Sequence, residues 1–176
     1  MSAILESQRI KLRAIEPEDL ELFYLWENNP DIWRVSNTLV PFSKFILRKY
    51  IENSHLDIFQ TKQTRFMIVQ IQTQKTIGTI DLFDFDSLNR RVGIGILIAE
   101  NEFKNKGYAY ESIDIIKKYC FSFLDLHQIY CNIFEYNIAS INLFKKAGFK
   151  QTSCKKDWIL LNNKWINELT FQFINI

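Results

Sequence analysis

Six residues, Lys104-Asn105-Lys106-Gly107-Tyr108-Ala109, stand where an apolar strand pattern, Val92 to Ala99, gives way to a helical one. A helix start presents unpaired backbone N–H groups and the positive end of the helix dipole, so a phosphate there gains hydrogen bonds and favourable charge together. Lys104 and Lys106 add ammonium groups. Asn105 and Gly107 are types that tolerate the left-handed backbone angles that curl successive N–H groups into an anion-binding nest. The segment suits a diphosphate; the plain alternative is a basic surface loop capping an ordinary helix. Neither G-x-x-x-x-G-K-S/T nor a post-strand G-x-G-x-x-G occurs, so triphosphate and dinucleotide readings lack their fingerprint.

A second strand-to-helix unit follows, with strand Ile129 to Tyr136 feeding a helix at Asn137. Asn137 is a good N-cap, Ile141, Phe144 and Ala147 recur at helical spacing, and Gly148 suits the C′ stop before the next strand.

Around these units the periodicity predicts strand 9–14, helix 17–28, a short helical or irregular stretch 30–41 and helix 43–60. Pro17, followed by Glu18 and Asp19, marks the first helix start. Strands are expected at 64–72, 77–85 and 91–99, the first two as a hairpin turning at Thr73-Gln74-Lys75. Then come helix 107–123, strand 128–135, helix 138–147 and strands 150–161 and 164–174. Helix 107–123 carries Ala109, Ile113, Ile116, Cys120 and Phe123 on one stripe that must lie on the sheet. Antiparallel strands, a strand-helix-strand crossover and a closing hairpin describe an α/β (α+β) fold, a mixed, mostly antiparallel seven-stranded sheet with helices on both faces. Gly93 and Gly95 fall on one strand face, which permits either close approach of another chain or ligand or tighter helix packing.

At 176 residues the chain reads as a single domain, 1–176, and its 47% hydrophobic content excludes disorder. The amino terminus is too polar for a signal peptide and no apolar run nears the roughly 20 residues of a membrane span, so a soluble, cytoplasmic protein without membrane partners is expected. Cys120, Cys131 and Cys154 lack C-x-x-C spacing and only His55 and His127 accompany them, so no metal site is expected and the thiols read as reduced. A net charge of +2 with dispersed Lys and Arg argues against nucleic acid and suits an anionic small molecule. The last strand, ending Phe171-Gln172-Phe173-Ile174, is read as exposed and able to pair with a second subunit in a homodimer.

The two strand-helix units together resemble the signature motifs of the GNAT acetyltransferase superfamily. Residues 104–109 match the end of Q/R-x-x-G-x-G/A, with Lys104 in place of Gln or Arg. Asn137, Ile141, Leu143, Lys146, Gly148 and Phe149 match N-x-x-A-I-x-L-Y-x-K-x-G-F, with Ser140 replacing Ala and Phe144 replacing Tyr. Ile10 to Leu20 is similar to the start of the branch that acetylates ribosomal-protein amino termini and polyamines. The resemblance implies an acetyl-CoA-dependent N-acetyltransferase acting on a small amine or a peptide amino terminus, or a degenerate domain that binds acetyl-CoA as a sensor. It implies a splayed central strand pair, with pantetheine pairing to Leu97, Ile98 and Ala99, the diphosphate on Lys104, Asn105, Lys106, Gly107, Tyr108 and Ala109, and Asn137, Ser140, Asn142 and Phe144 along the far wall.

Relatives place Glu where Gly93 stands and Tyr where Phe144 stands, to accept the amine proton and protonate the departing sulfur. General acid or base help is worth ~10²–10⁴-fold, so substitutes are sought. Asp81, Asp84, Asp86 and Glu135 are candidate bases, with Asp81 and Glu135 preferred, and Ser140 is a weak candidate donor to the thiolate. Trp26, Glu27, Asn28, Asn29, Trp33 and Arg34 cluster where an acceptor pocket would form; their aromatic faces and carboxylate could hold a cationic amine, or both tryptophans could be core. Asp81 and Asp84, with Asp86, tilt this pocket towards a polycation.

Overall fold

Alternation along the strands sends Phe66 and Ile68 to one side of the sheet and Met67 to the other, and each side acquires its own core. The structure, a computed structural model, describes residues 4–36 and 38–175, without the side chains of Arg34 and Val35, so Asn37 of the predicted 30–41 stretch and the Arg34 side chain of the predicted pocket lie outside the described residues. Seven strands form one sheet: β1 (Ile10–Ala14), β2 (Thr64–Gln70), β3 (Lys75–Asp86), β4 (Arg91–Ile98), β5 (Gln128–Phe134), β6 (Lys150–Leu161) and β7 (Lys164–Ile174). Their order is β1-β2-β3-β4-β5-β7-β6, and every neighbouring pair is antiparallel except β4–β5.

On one face pack α5 (Tyr108–Lys118), through Ile113 and Ile116, and α6 (Ile138–Lys146), through Ile141 and Phe144. On the other lie α1 (Leu20–Glu27) and α3 (Lys44–Glu52), which bury Phe23, Trp26, Leu47 and Ile51 around Met67. Two shorter helices are α2 (Pro30–Ser36) and α4 (Ile58–Thr61). Burial of these apolar faces, each large side chain worth ~1.5–3 kcal/mol, holds the helices to the sheet.

The predicted helix 43–60 breaks in two. Asn53–His55 tightens into a 3-10 turn, and Asp57 caps α4 by accepting from the amides of Phe59 at 2.9 Å and Gln60 at 3.0 Å. The predicted stripe on 107–123 holds through Cys120 but fails at Phe123. Tyr119–Phe123 forms a π turn, closed by the Leu124 amide on the Tyr119 carbonyl at 3.1 Å; the wide turn advances the phase, and Phe123 emerges 59% exposed. The last strand is not an edge: β7 lies between β5 and β6 with Phe171 fully buried, so the sheet edges are β1 and β6 and the pairing route expected for a homodimer is closed.

Candidate active site

The parallel pair β4–β5 is joined only at its beginning, Arg91 to Gln128, Val92 to Ile129 and Gly93 to Tyr130. Beyond that point β4 continues against β3 and β5 against β7, so the two strands part and leave a V-shaped gap. The Ala99 amide donates to Ile77 of β3 at 2.9 Å. Alternation in the antiparallel ladder therefore also turns the Leu97 backbone groups towards β3, and turns those of Ile94, Ile96 and Ile98 into the gap. Of the three residues expected to pair with a pantetheine chain, Ile98 offers free groups there; Leu97 and Ala99 do not, and Ile96 takes their place. Period-two reading of the sequence could not reveal which parity faced the gap.

The wide end of the gap leads into the 104–109 turn. Asn105 (φ 60°) and Gly107 (φ 87°) adopt the left-handed conformations expected of them. Among the described residues, the amides of Asn105 to Tyr110 donate to no other group. These free donors at a helix start are what a diphosphate requires. Lys104 and Lys106 are exposed beside them, and Lys104 Nζ contacts Asn101 Oδ1 at 2.7 Å. The Tyr108 ring is buried against Phe103 and beneath Arg9, whose guanidinium carbon is 4.7 Å from its centroid. Arg9 itself went unread in the sequence. Its Nη1 donates to the Lys106 carbonyl at 3.1 Å and its Nη2 pairs with Glu111 of α5, so the residue just before β1 braces the turn across 97 positions of chain. A Cβ on Gly107 would stand 3.2 Å from that guanidinium, so the turn needs glycine for both angle and space.

On the other wall, Asn137 caps α6, accepting from the Ser140 amide at 3.2 Å. Ser140 is half-buried and Asn142 exposed. Phe144 does not line the gap. It is 3% exposed and meets Phe149 edge-on at 5.0 Å, so it serves the core.

The sheet face under α1 and α3 carries Arg65 opposite Asp81, and Asp81 opposite Gly95. Arg65 grips both oxygens of Asp81, the second at 3.0 Å, and its Nη1 meets Glu27 Oε1 at 2.5 Å. Burial opposes its charge, but Asp81 first and Glu27 next outweigh burial and raise its pKa. Tyr50 lies beside it, its hydroxyl pKa also raised, chiefly by burial. Arg65, Asp81 and Tyr50 border a cavity of about 230 Å³ together with Gln63, Thr64, Leu82 and Phe83. Asp81 is thus bound up in an ion pair and is not the free base expected. Two carboxylates against one guanidinium still leave the cluster a net charge of −1.

Glu135 is corrected likewise. Its carboxylate accepts the Asn167 backbone amide at 3.0 Å and side-chain amide at 2.9 Å, stitching β5 to β7. Trp26 is core, 7% exposed, with its indole N–H on Glu100 at 3.3 Å. Asn29 starts α2 by accepting from the Asp31 amide at 3.0 Å, and the Trp33 indole donates to the Glu27 carbonyl at 2.5 Å, so both shape the turn after α1. Asp84 lies apart from Asp81, in a second cavity of about 420 Å³. No group of His, Cys, Asp and Glu among the described residues is arranged to hold a metal ion, and no helix among them is long and apolar enough to cross a membrane.

A parting parallel pair whose gap leads to unclaimed amides at a helix start defines an acyltransferase that draws on coenzyme A. The chain belongs to the GNAT acetyltransferases: the family model described as an acetyltransferase (GNAT) domain matches residues 9–150. Its activity is accordingly acetyl-CoA-dependent N-acetylation. The chain is 26% identical over 162 residues to spermidine N(1)-acetyltransferase of Vibrio cholerae, covering 90% of this chain and 89% of the relative. It is 29% identical to the uncharacterized N-acetyltransferase YoaA of Bacillus subtilis, covering 92% and 91% of the two chains. Among solved structures, that of the Vibrio cholerae spermidine N-acetyltransferase in complex with CoA and spermine superposes with a TM-score of 0.85 at 23% identity, covering 96% of both chains, which shows the shared fold.

Proposed function

We propose that the protein works as one catalytic domain in the cytoplasm and transfers the acetyl group of acetyl-CoA to a primary amine of a polyamine of the spermidine class. The observation that carries the cofactor placement is the run of unpartnered amides at Asn105 to Tyr110, set at the mouth of the β4–β5 gap. The diphosphate rests on these amides beside Lys104 and Lys106. The pantetheine arm descends the gap against Ile98 and Ile96, and Asn137, Ser140 and Asn142 flank it on the far side. The thioester then lies near the closed end of the gap, where the Phe83 ring covers Gly93 and reaches the edge of Gly95.

The acceptor enters from that face. A polycation suits it because the Arg65, Asp81 and Glu27 cluster is net negative and Asp84 adds a further carboxylate. Relatives named as spermidine acetyltransferases support the same substrate class. Glu27 and Asp81 act as a fixed electrostatic floor, and Trp33 and Asn29 hold the turn beside it. A small cation is attracted by such a floor without a dedicated partner for each charge.

The test is thiol release from acetyl-CoA by the purified protein with spermidine, spermine, aminoglycosides, free amino acids and short Ala-, Ser- and Thr-initiated peptides. Saturable release with spermidine or spermine, and a product heavier by one acetyl group, is the expected result. Release with peptides alone would move the acceptor to the amino-terminal class. Tight CoA binding without release for any amine would refute catalysis and leave a sensor domain.

A further inference from the structure

The two carboxylates that sequence reasoning preferred as bases are engaged elsewhere: Asp81 by Arg65 and Glu135 by Asn167. Asp86 is also claimed, by Arg91 at 3.1 Å and by the amide and side chain of Asn89. Asp84 differs. Among the described residues its carboxylate meets no cation, and its partner is the Tyr130 hydroxyl, which donates to Oδ2 at 3.4 Å.

The backbone accounts for where Asp84 points. Strict alternation would send residue 84 to the face opposite Phe83, but the β3–β4 register breaks between Phe83 and Asp86, and Asp84 sits at φ 51°. A bulge re-aims a side chain, and a left-handed residue inside a strand is a strained state kept where the surroundings impose it. Tyr130 is the last β5 residue paired to β4, opposite Gly93, at the closed end of the gap. Its ring meets Phe83 edge-on at 6.2 Å, and Phe83 lies over Gly93, where a Cβ would stand 2.3 Å from it. To reach Asp84 on β3 from β5, Tyr130 must cross β4 above that glycine. Asp84 and Tyr130 both open on the larger cavity, with the Asp86–Arg91 pair as the other charged groups there; Lys62 faces Phe85 nearby, 6.0 Å from its ring.

We infer that Asp84 accepts the proton of the attacking amine and that Tyr130 positions its carboxylate. This rests on the acetyl-transfer reading above. The amine lone pair forms the N–C bond to the thioester carbonyl, which makes the nitrogen cationic and its proton acidic. That proton passes to Asp84, directly or through one water. The C–S bond then breaks with its electron pair on sulfur, and the thiolate takes up the proton from Asp84 or from solvent, giving amide and free thiol. Reach to the substrate is the first requirement of a general base, and an unclaimed carboxylate at the closed end of the gap meets it.

The test compares wild type, Asp84→Asn, Tyr130→Phe and the double variant by thiol release with spermidine and by calorimetric titration with CoA. Asparagine tolerates left-handed backbone, so Asp84→Asn keeps the bulge. The expected result is a fall in kcat of about 100-fold or more for Asp84→Asn, with CoA affinity unchanged. Tyr130→Phe should lose about 10-fold, and the double variant should be no slower than Asp84→Asn, since a positioning group has nothing left to position. An active wild type beside an equally fast Asp84→Asn overturns this inference alone, as does an Asp84→Asn that raises only the polyamine KM, or a double variant that multiplies both losses. A wild type inactive with every amine overturns the acetyl-transfer reading and this inference with it.

Discussion

Replacing Arg65 with methionine keeps most of the volume and removes the one cation between Asp81 and Glu27. The cluster is largely enclosed, with side-chain exposures of 22% for Arg65, 27% for Asp81 and 21% for Glu27. Removing one partner from a fully buried ion pair costs about 3–5 kcal/mol, because the remaining charge is left uncompensated. Exposure of about a quarter lets water recover part of that, which brings the expected loss to about 2–4 kcal/mol. Contacts of the guanidinium with the rings of Phe23 at 5.1 Å and Tyr50 at 5.7 Å are included in this figure. With a urea slope near 2 kcal/mol/M, the unfolding midpoint should fall by about 1–2 M at unchanged slope. Asp81→Asn in the Arg65→Met background should recover part of the loss, because it removes one of the two stranded charges. Equilibrium urea unfolding followed by circular dichroism and by tryptophan fluorescence reads Arg65→Met, Asp81→Asn and the double variant. A loss below about 1 kcal/mol for Arg65→Met, or a double variant that sums the two single losses, would refute the electrostatic account of this face.

Further outcomes follow from other parts of the molecule. Gly107→Ala places a Cβ at φ 87° and against Arg9, and should weaken CoA binding in calorimetry by about 10-fold, from strain of roughly 1–2 kcal/mol; Gly107→Glu should abolish it, and unchanged affinity in either variant would count against the diphosphate turn. Asp19 is buried in the first turn beside β1. Burial works against its charge, yet the Arg13 guanidinium, at 2.7 Å, and the Glu16 amide hold its pKa below the usual carboxylate range. Its contribution is therefore complete above about pH 4 and is lost as pH falls through the lowered value. Asp19→Asn should cost about 2–4 kcal/mol at pH 7, with the gap to wild type in urea midpoints closing towards pH 2. Burial raises the Cys120 thiol to about 12 and raises Cys131 as well, whereas Cys154 is part-exposed. A colorimetric thiol reagent at pH 8 should titrate one group quickly in the native protein and three in denaturant.

Much of the fold was legible because local chemistry and tertiary structure agree. Asn162 and Asn163, both left-handed, make the two-residue turn that fixes strands 150–161 and 164–174 to the residue. Gly107 and Gly148 stop and start elements where their positive φ is needed. The misreadings share a cause. Strand order cannot be taken from chain order once a crossover intervenes, so β7 was read as an edge. Arg65 grips Asp81 because sheet register places them opposite each other, and Arg9 reaches Lys106 from a distant segment; neither pairing leaves a local pattern. Asp84 was named among the candidate bases, but its direction is set by a bulge, which alternation counted along the sequence does not show.

The placement of coenzyme A in the β4–β5 gap is tested most directly by residue-resolved amide hydrogen exchange with and without CoA. In the free protein the amides of Ile96, Ile98 and Asn105 to Tyr110 should exchange quickly, because no acceptor holds them, while Leu97 and Ala99 should already be slow through their bonds to β3. Saturating CoA should slow the first set and leave the second unchanged. Protection that leaves Ile96, Ile98 and the 105–110 turn untouched would contradict the account.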